Sequence, residues 1–167
     1  MIGTATIRSV ETEFTKNLKK ELRDQGHYLT GALESSIRTK TTDNTGAVVG
    51  EVTALDYIDD LETGIAASHI DPNDVSYIRE MAEYAKKRFG LTSERQALKA
   101  GVAIARKHAR EGMPTRNSYN FSSTGERTEA IQTSYDEHAD QYDDLIENGL
   151  NRELDTYIEK QFKETLF

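Results

Sequence analysis

Cysteine is absent. Disulfide staples and thiol chemistry are therefore excluded, and the redox compartment is not marked by this route. Apolar side chains are also scarce: 36% of the chain, against 30% charged. That balance points to long exposed helices, or to a core that is completed in an assembly. Cations are outnumbered, with 21 Lys and Arg against 29 Asp and Glu and a net charge of −8. Broad non-specific nucleic-acid binding rests on neutralising phosphate with Lys and Arg, so it is disfavoured, although local basic clusters are compatible. No run approaches the roughly 18 apolar residues of a membrane span. The opening residues, MIGTATIRSVETEF, lack the basic-then-apolar order of a secretory signal. Synthesis in the cytoplasm and no membrane partner are the expectation.

Catalytic machinery is missing too. His27, His69, His108 and His138 are scattered, and none stands at metal spacing from a second His or Cys. There is no P-loop, no GxGxxG and no GxSxG. Ser35-Ser36 has no elbow around it. Asp59, Asp60 and Glu62 form the densest carboxylate cluster. A calcium loop needs alternating oxygen ligands and a Gly at its bend, and this cluster has neither. A solvated acidic face is the plainer reading, and a metal-dependent hydrolase the sharper one. The expectation is a chain that is not an enzyme and holds no cofactor or metal.

What is present is organised around Tyr28–Gly64. From Leu33 to Thr41 the residues alternate: Leu33 and Ile37 on one side, Glu34, Arg38 and Lys40 on the other. A period of two predicts a half-buried strand. Asp43-Asn44-Thr45-Gly46 is turn chemistry, since Asn and Gly tolerate positive φ. Val48 and Val52 then alternate with Val49 and Glu51, which predicts a second strand and a hairpin over 32–55. A lone hairpin is unstable in water. It requires a helix, further strands, or strands from another copy.

The flanks read as helix. Ile7, Val10, Phe14, Leu18 and Leu22 form one apolar stripe over 4–24, with Lys16, Lys19, Lys20 and Arg23 in the later turns and Gly26 as the cap. This helix should cover one face of the sheet; a basic stripe for an acidic partner is the alternative. Asp56–Glu62 reads as a short acidic helix ended by Gly64. Residues 73–111 read as an inserted αα-hairpin. Its first helix buries Val75, Ile78, Met81, Ala82, Ala85 and Phe89. The second is opened by a Ser93–Gln96 capping box and buries Leu98, Val102, Ala105 and Ala109. Its outer surface is basic at Lys86, Lys87, Arg88, Arg106, Lys107 and Arg110, either a solvated face or a contact for DNA backbone or an acidic subunit. A polar link, Met113–Gly125, holds Tyr119 and Phe121. The C-terminal region, 126–166, is helical along Ile131, Tyr135, His138, Tyr142, Leu145, Gly149, Leu154, Tyr157 and Phe162, with a break expected at Asn148-Gly149. The expected class is α+β: one domain over 1–167, a small antiparallel sheet packed by the N-terminal helix, with the inserted αα-hairpin and a long C-terminal helical region.

Three stretches carry a resemblance. Thr30-Gly31-Ala32-Leu33-Glu34-Ser35-Ser36-Ile37 is similar to a Thr-Gly-x-Leu-x-x-Ser-Ile element. Tyr57-Ile58-Asp59-Asp60-Leu61-Glu62-Thr63-Gly64 is similar to Tyr-Ala-x-x-Val-Glu-x-Gly, and Met113-Pro114-Thr115-Arg116 is a weaker echo of Met-Pro-x-Arg before an aromatic and a final helix. In this order they resemble the small tail-completion, or head–tail connector, proteins of tailed bacteriophages. The stretch from the first element to the second, Thr30–Gly64, spans about a fifth of the chain. The αα-hairpin and the long acidic C-terminal region depart from the family pattern. The resemblance implies a structural virion protein without an active site: a ring of six or twelve copies at the neck or tail top. Such a ring would join portal or adaptor proteins to the tail, and double-stranded DNA would pass through its lumen without sequence-specific binding. An open hairpin edge that pairs with the next copy would build it. Thr30, Gly31, Leu33, Ile37, Val48, Val52, Tyr57 and Glu62 are the interface candidates. A soluble dimeric interaction module, held by the acidic helices, is the alternative.

Overall fold

The computed structural model describes residues 2–120 and 122–166; Phe121 lies outside the described residues. The class is α+β, as expected. In chain order the elements are α1 (Thr4–Asp24), α2 (Ala32–Ser36), β1 (Arg38–Asn44), β2 (Ala47–Thr53), α3 (Ile58–Thr63), a 3-10 turn (Ala67–His69), α4 (Val75–Phe89), α5 (Glu94–Glu111), α6 (Ala130–Asp136) and α7 (Ala139–Leu166). The contacts group into two compact units.

The first unit holds the chain up to Glu21, Glu34–Leu55, and Ile131 onward. Its sheet pairs β1 with β2 antiparallel, from Arg38↔Thr53 to Asn44↔Ala47. Thr45-Gly46 is left as a two-residue turn, with Gly46 at φ 89°, a conformation that a side chain would strain. Opposed residues share a face. The face of Thr39, Thr41, Asp43, Val48, Gly50 and Val52 lies against α1. There, a Cβ on Gly50 would stand 2.9 Å from Ile7 Cγ2 and 2.7 Å from Glu11 Oε1, so only glycine lets the helix and strand approach. Leu18, Ile37 and Tyr142 are buried in this unit.

Two expectations are corrected here. The segment from Leu33 is not strand: Ala32–Ser36 is a helical turn, and β1 begins only at Arg38. Leu33 and Ile37 are four apart, a spacing that a period of two and a helical turn share. Both are interior, at 4% and 3% exposure. The break in the C-terminal region falls at Glu137-His138, and α7 runs through Asn148-Gly149. Glycine is tolerated there because a Cβ would meet Thr6 Cγ2 at 2.7 Å. Close packing on α1 offsets the roughly 1 kcal/mol that a mid-helix glycine costs.

The second unit holds Leu22–Leu33 and Asp56–Ala130. The end of α1 closes as expected on Gly26, with Gly26 N–H donating to Arg23 O (2.8 Å) and His27 N–H to Leu22 O (2.8 Å). Helices α4 and α5 form the expected αα-hairpin. Asp74 caps α4 by accepting from the Ser76 and Tyr77 amides, and Gly90 ends it in the left-handed conformation. Ser93 stands at the N-cap of α5, but its hydroxyl makes no cap bond, so the expected capping box is not formed.

The faces in contact match the expected ones in part: Ala82, Ala85 and Ala105 are buried as expected, while Ala97 and Gly101 lie outside the expected set. Ala82 and Ala85 of α4 and Ala97, Gly101 and Ala105 of α5 are the buried positions. A Cβ on Gly101 would lie 2.5 Å from Ile78 O and 2.9 Å from Ala82 N. Small residues let the two axes approach, and this close packing leaves the larger side chains outside. Val75, Phe89 and Leu98, expected inside, are 60%, 54% and 38% exposed. Further along, Ile65 and Met113 form an isolated antiparallel bridge (2.6 and 2.9 Å), and the Met113–Pro114 peptide bond is cis.

Candidate assembly surfaces

Glu11 organises the hairpin. Its carboxylate is buried between α1 and the sheet and accepts from Thr41 Oγ1 (2.7 Å) and from the Glu51 amide (3.1 Å). One helix residue thus ties both strands. It also occupies one backbone donor that a neighbouring strand would otherwise use. Among the described residues, no third strand joins β1 or β2, so each keeps a lateral edge without a strand partner. The face turned away from α1 carries Arg38, Lys40, Val49, Glu51 and Thr53, all exposed. Mixed charge on a two-stranded rim is a usual defence against indiscriminate pairing.

The interface candidates do not form one patch. Leu33 and Ile37 are buried and offer no surface to a neighbour. Val48 and Val52 are half-buried on the α1 face of the sheet. Thr30 is exposed, and Gly31 holds φ 73° with the Tyr28 ring packed against it. Tyr57 is 44% exposed, while Glu62 is half-buried on α3. Sequence reasoning marked the hairpin but missed Glu11, although a Glu on the apolar side of α1 opposite a mid-strand Gly was a visible signal.

In the second unit, two stretches that carry the resemblance meet. The Ile65–Met113 bridge places Thr63-Gly64 beside Met113-Pro114, and the Glu129 amide donates to Glu62 O (3.0 Å). Around them sits a half-buried polar cluster. Tyr77 Oη lies 2.6 Å from His108 Nδ1, and His27 Nε2 lies 2.9 Å from Arg127 O. Burial, then the nearby Arg127, lowers both histidines to about 4, so they are neutral at pH 7. Each ring nitrogen named has an internal partner, which suits a structural role. Among the described residues, no three His, Asp or Glu side chains converge to hold a metal; Asp59 and Asp60 point to solvent.

An exposed apolar stretch lies on α7. Its packed face runs through Tyr142, Leu145, Gly149 and Glu153. Glu153 reaches the start of α1, accepting from Gly3 N (2.7 Å), Thr6 N (2.8 Å) and Thr6 Oγ1 (2.7 Å). Helix α1 has no acidic residue of its own in its first turn, so α7 supplies its cap. The opposite face of α7 is acidic at Asp140, Asp143 and Glu147. Further on it is apolar at Leu154 (43% exposed), Ile158 (44%) and Phe162 (64%), while Tyr157 lines the groove beside α1 with Leu145, Gly149 and Glu153. In the second unit, α5 turns outward a row of cations, Arg95, Lys99, Arg106 and Arg110, with Leu98 and Val102 along one shoulder. The chain matches no protein-family model, no curated protein and no solved structure.

Proposed function

We propose that the chain is a structural ring subunit of a phage neck or tail top, joining portal or adaptor proteins to the tail around the DNA channel. The observation that carries the reading is a two-stranded sheet whose lateral edges have no strand partner among the described residues. Such a sheet gains from strands of sister copies, and head-to-tail pairing that closes makes a ring. The order of the three resembling stretches, two of them in contact at the Ile65–Met113 bridge, supports the same reading. Net charge of −8 suits a lumen through which DNA slides without adhering.

Native mass spectrometry of the purified chain, with negative-stain microscopy, tests it. A discrete closed assembly of six or twelve copies is the expected result, and peptide mapping should find the chain in virions. A second reading, a soluble dimeric interaction module, is favoured by the exposed stripe on α7, which two copies could bury against each other. A concentration-independent dimer that never enters particles would select it and remove the ring.

A further inference from the structure

The outward faces of α7 and α5 are complementary along their lengths. On α7 the carboxylates Asp140, Asp143 and Glu147 come first and the apolar Leu154, Ile158 and Phe162 follow. On α5 the apolar pair lies toward the start: Leu98 and Val102, flanked by Arg95 and Lys99, precede Arg106 and Arg110. Among the described residues, none of these four carboxylate-facing and cation-bearing groups (Asp143, Glu147, Arg106, Arg110) has an ion-pair partner. We infer that α7 of one copy docks antiparallel on α5 of the next, with Leu154 and Ile158 over Leu98 and Val102, and with Asp143 and Glu147 over Arg106 and Arg110.

The spacing agrees. At about 1.5 Å per residue, the acidic and apolar centres lie ~16 Å apart on α7 and ~12 Å apart on α5, within the reach of Arg side chains. Apolar contact supplies affinity, and the charged halves fix direction and register. Two different faces meet, so the contact builds a ring where it runs head-to-tail and closes after several copies, and a reciprocal dimer where a two-fold axis repeats it. It rests on the ring reading only for closure.

The chain has no cysteine, so single cysteines report the contact cleanly. Chains carrying L98C and L154C are mixed under mild oxidation. A disulfide between the two variants, absent from either alone, is expected. Self-linkage of L154C at an equal yield, or no linkage in the mixture, would overturn the contact. As a check independent of oxidation, R106E with R110E, or D143K with E147K, should each weaken self-association ~10-fold or more, and combining all four should restore it. Failure of restoration would count against the register. If R106E with R110E abolishes binding to duplex DNA while leaving the mass unchanged, α5 is a DNA face and the proposal is wrong. Linkage in open, polydisperse chains would keep the contact and remove the closed ring. A closed ring without linkage would do the reverse.

Discussion

Glu153 is the residue on which the placement of α7 most depends. Its carboxylate accepts three hydrogen bonds from Gly3 and Thr6. Burial works to raise its pKa, but the bonds from Thr6, Gly3 and Ala5 outweigh burial and hold it below the ordinary carboxylate value. Replacing it with Gln removes the charge at the helix N-terminus and weakens three charge-assisted bonds. An N-cap is worth about 0.5–2 kcal/mol, and bonds to a charged group somewhat more. The group is partly solvated, so a loss of ~1–2 kcal/mol is expected. For a chain of this size that lowers Tm by ~2–8 °C. At the Thr6 amide it speeds hydrogen exchange by ~5–30-fold. The sign with pH is fixed: a depressed folded pKa contributes stability above the ordinary Glu range, and that contribution fades as pH falls through the folded value. The gap between wild type and Glu153→Gln should therefore be full at pH 7 and close in acid. A Tm within ~1 °C of wild type, with unchanged exchange at Thr6, would refute the reasoning.

Other perturbations follow the same logic. Gly101→Leu pushes a side chain into Ile78 O and the backbone of Ala82, which should separate α4 from α5 and cost ~1–3 kcal/mol or more, read by urea denaturation. Glu11→Ala leaves Thr41 Oγ1 and the Glu51 amide without their acceptor; ~2–3 kcal/mol should be lost, with faster exchange at Glu51 than at the paired positions of the ladder. His27 and His108 both have folded values near 4, below the unfolded 6.5. The unfolded chain takes up protons first, so stability should fall between about pH 6.5 and 4. His27→Gln should flatten that slope in thermal melts; an unchanged slope counts against a neutral, half-buried His27.

Much of the architecture could be read from residue order alone. The stripe from Ile7 to Leu22, the Gly26 stop, the Asp74 cap, the Gly90 break and the Thr45-Gly46 turn are local signals, settled by φ preference and by backbone groups a few residues apart. Leu33 and Ile37 were ambiguous for a local reason too, since their spacing of four suits a strand and a helical turn alike. What sequence order could not decide was which face of each helix is covered. Ala97, Gly101 and Ala105 became the inner face of α5 because close approach to α4 excludes larger side chains, and that approach depends on atoms of Ile78 and Ala82. Glu11, Gly50, Gly149 and Glu153 likewise acquire their roles from partners 30 residues away or more, such as Glu11 with Thr41 and Gly149 with Thr6. The exposed apolar end of α7 belongs to the same class. Leu154 continues the stripe on paper, but the packed face passes through Gly149 and Glu153, and the geometry of that contact turns Leu154 to solvent.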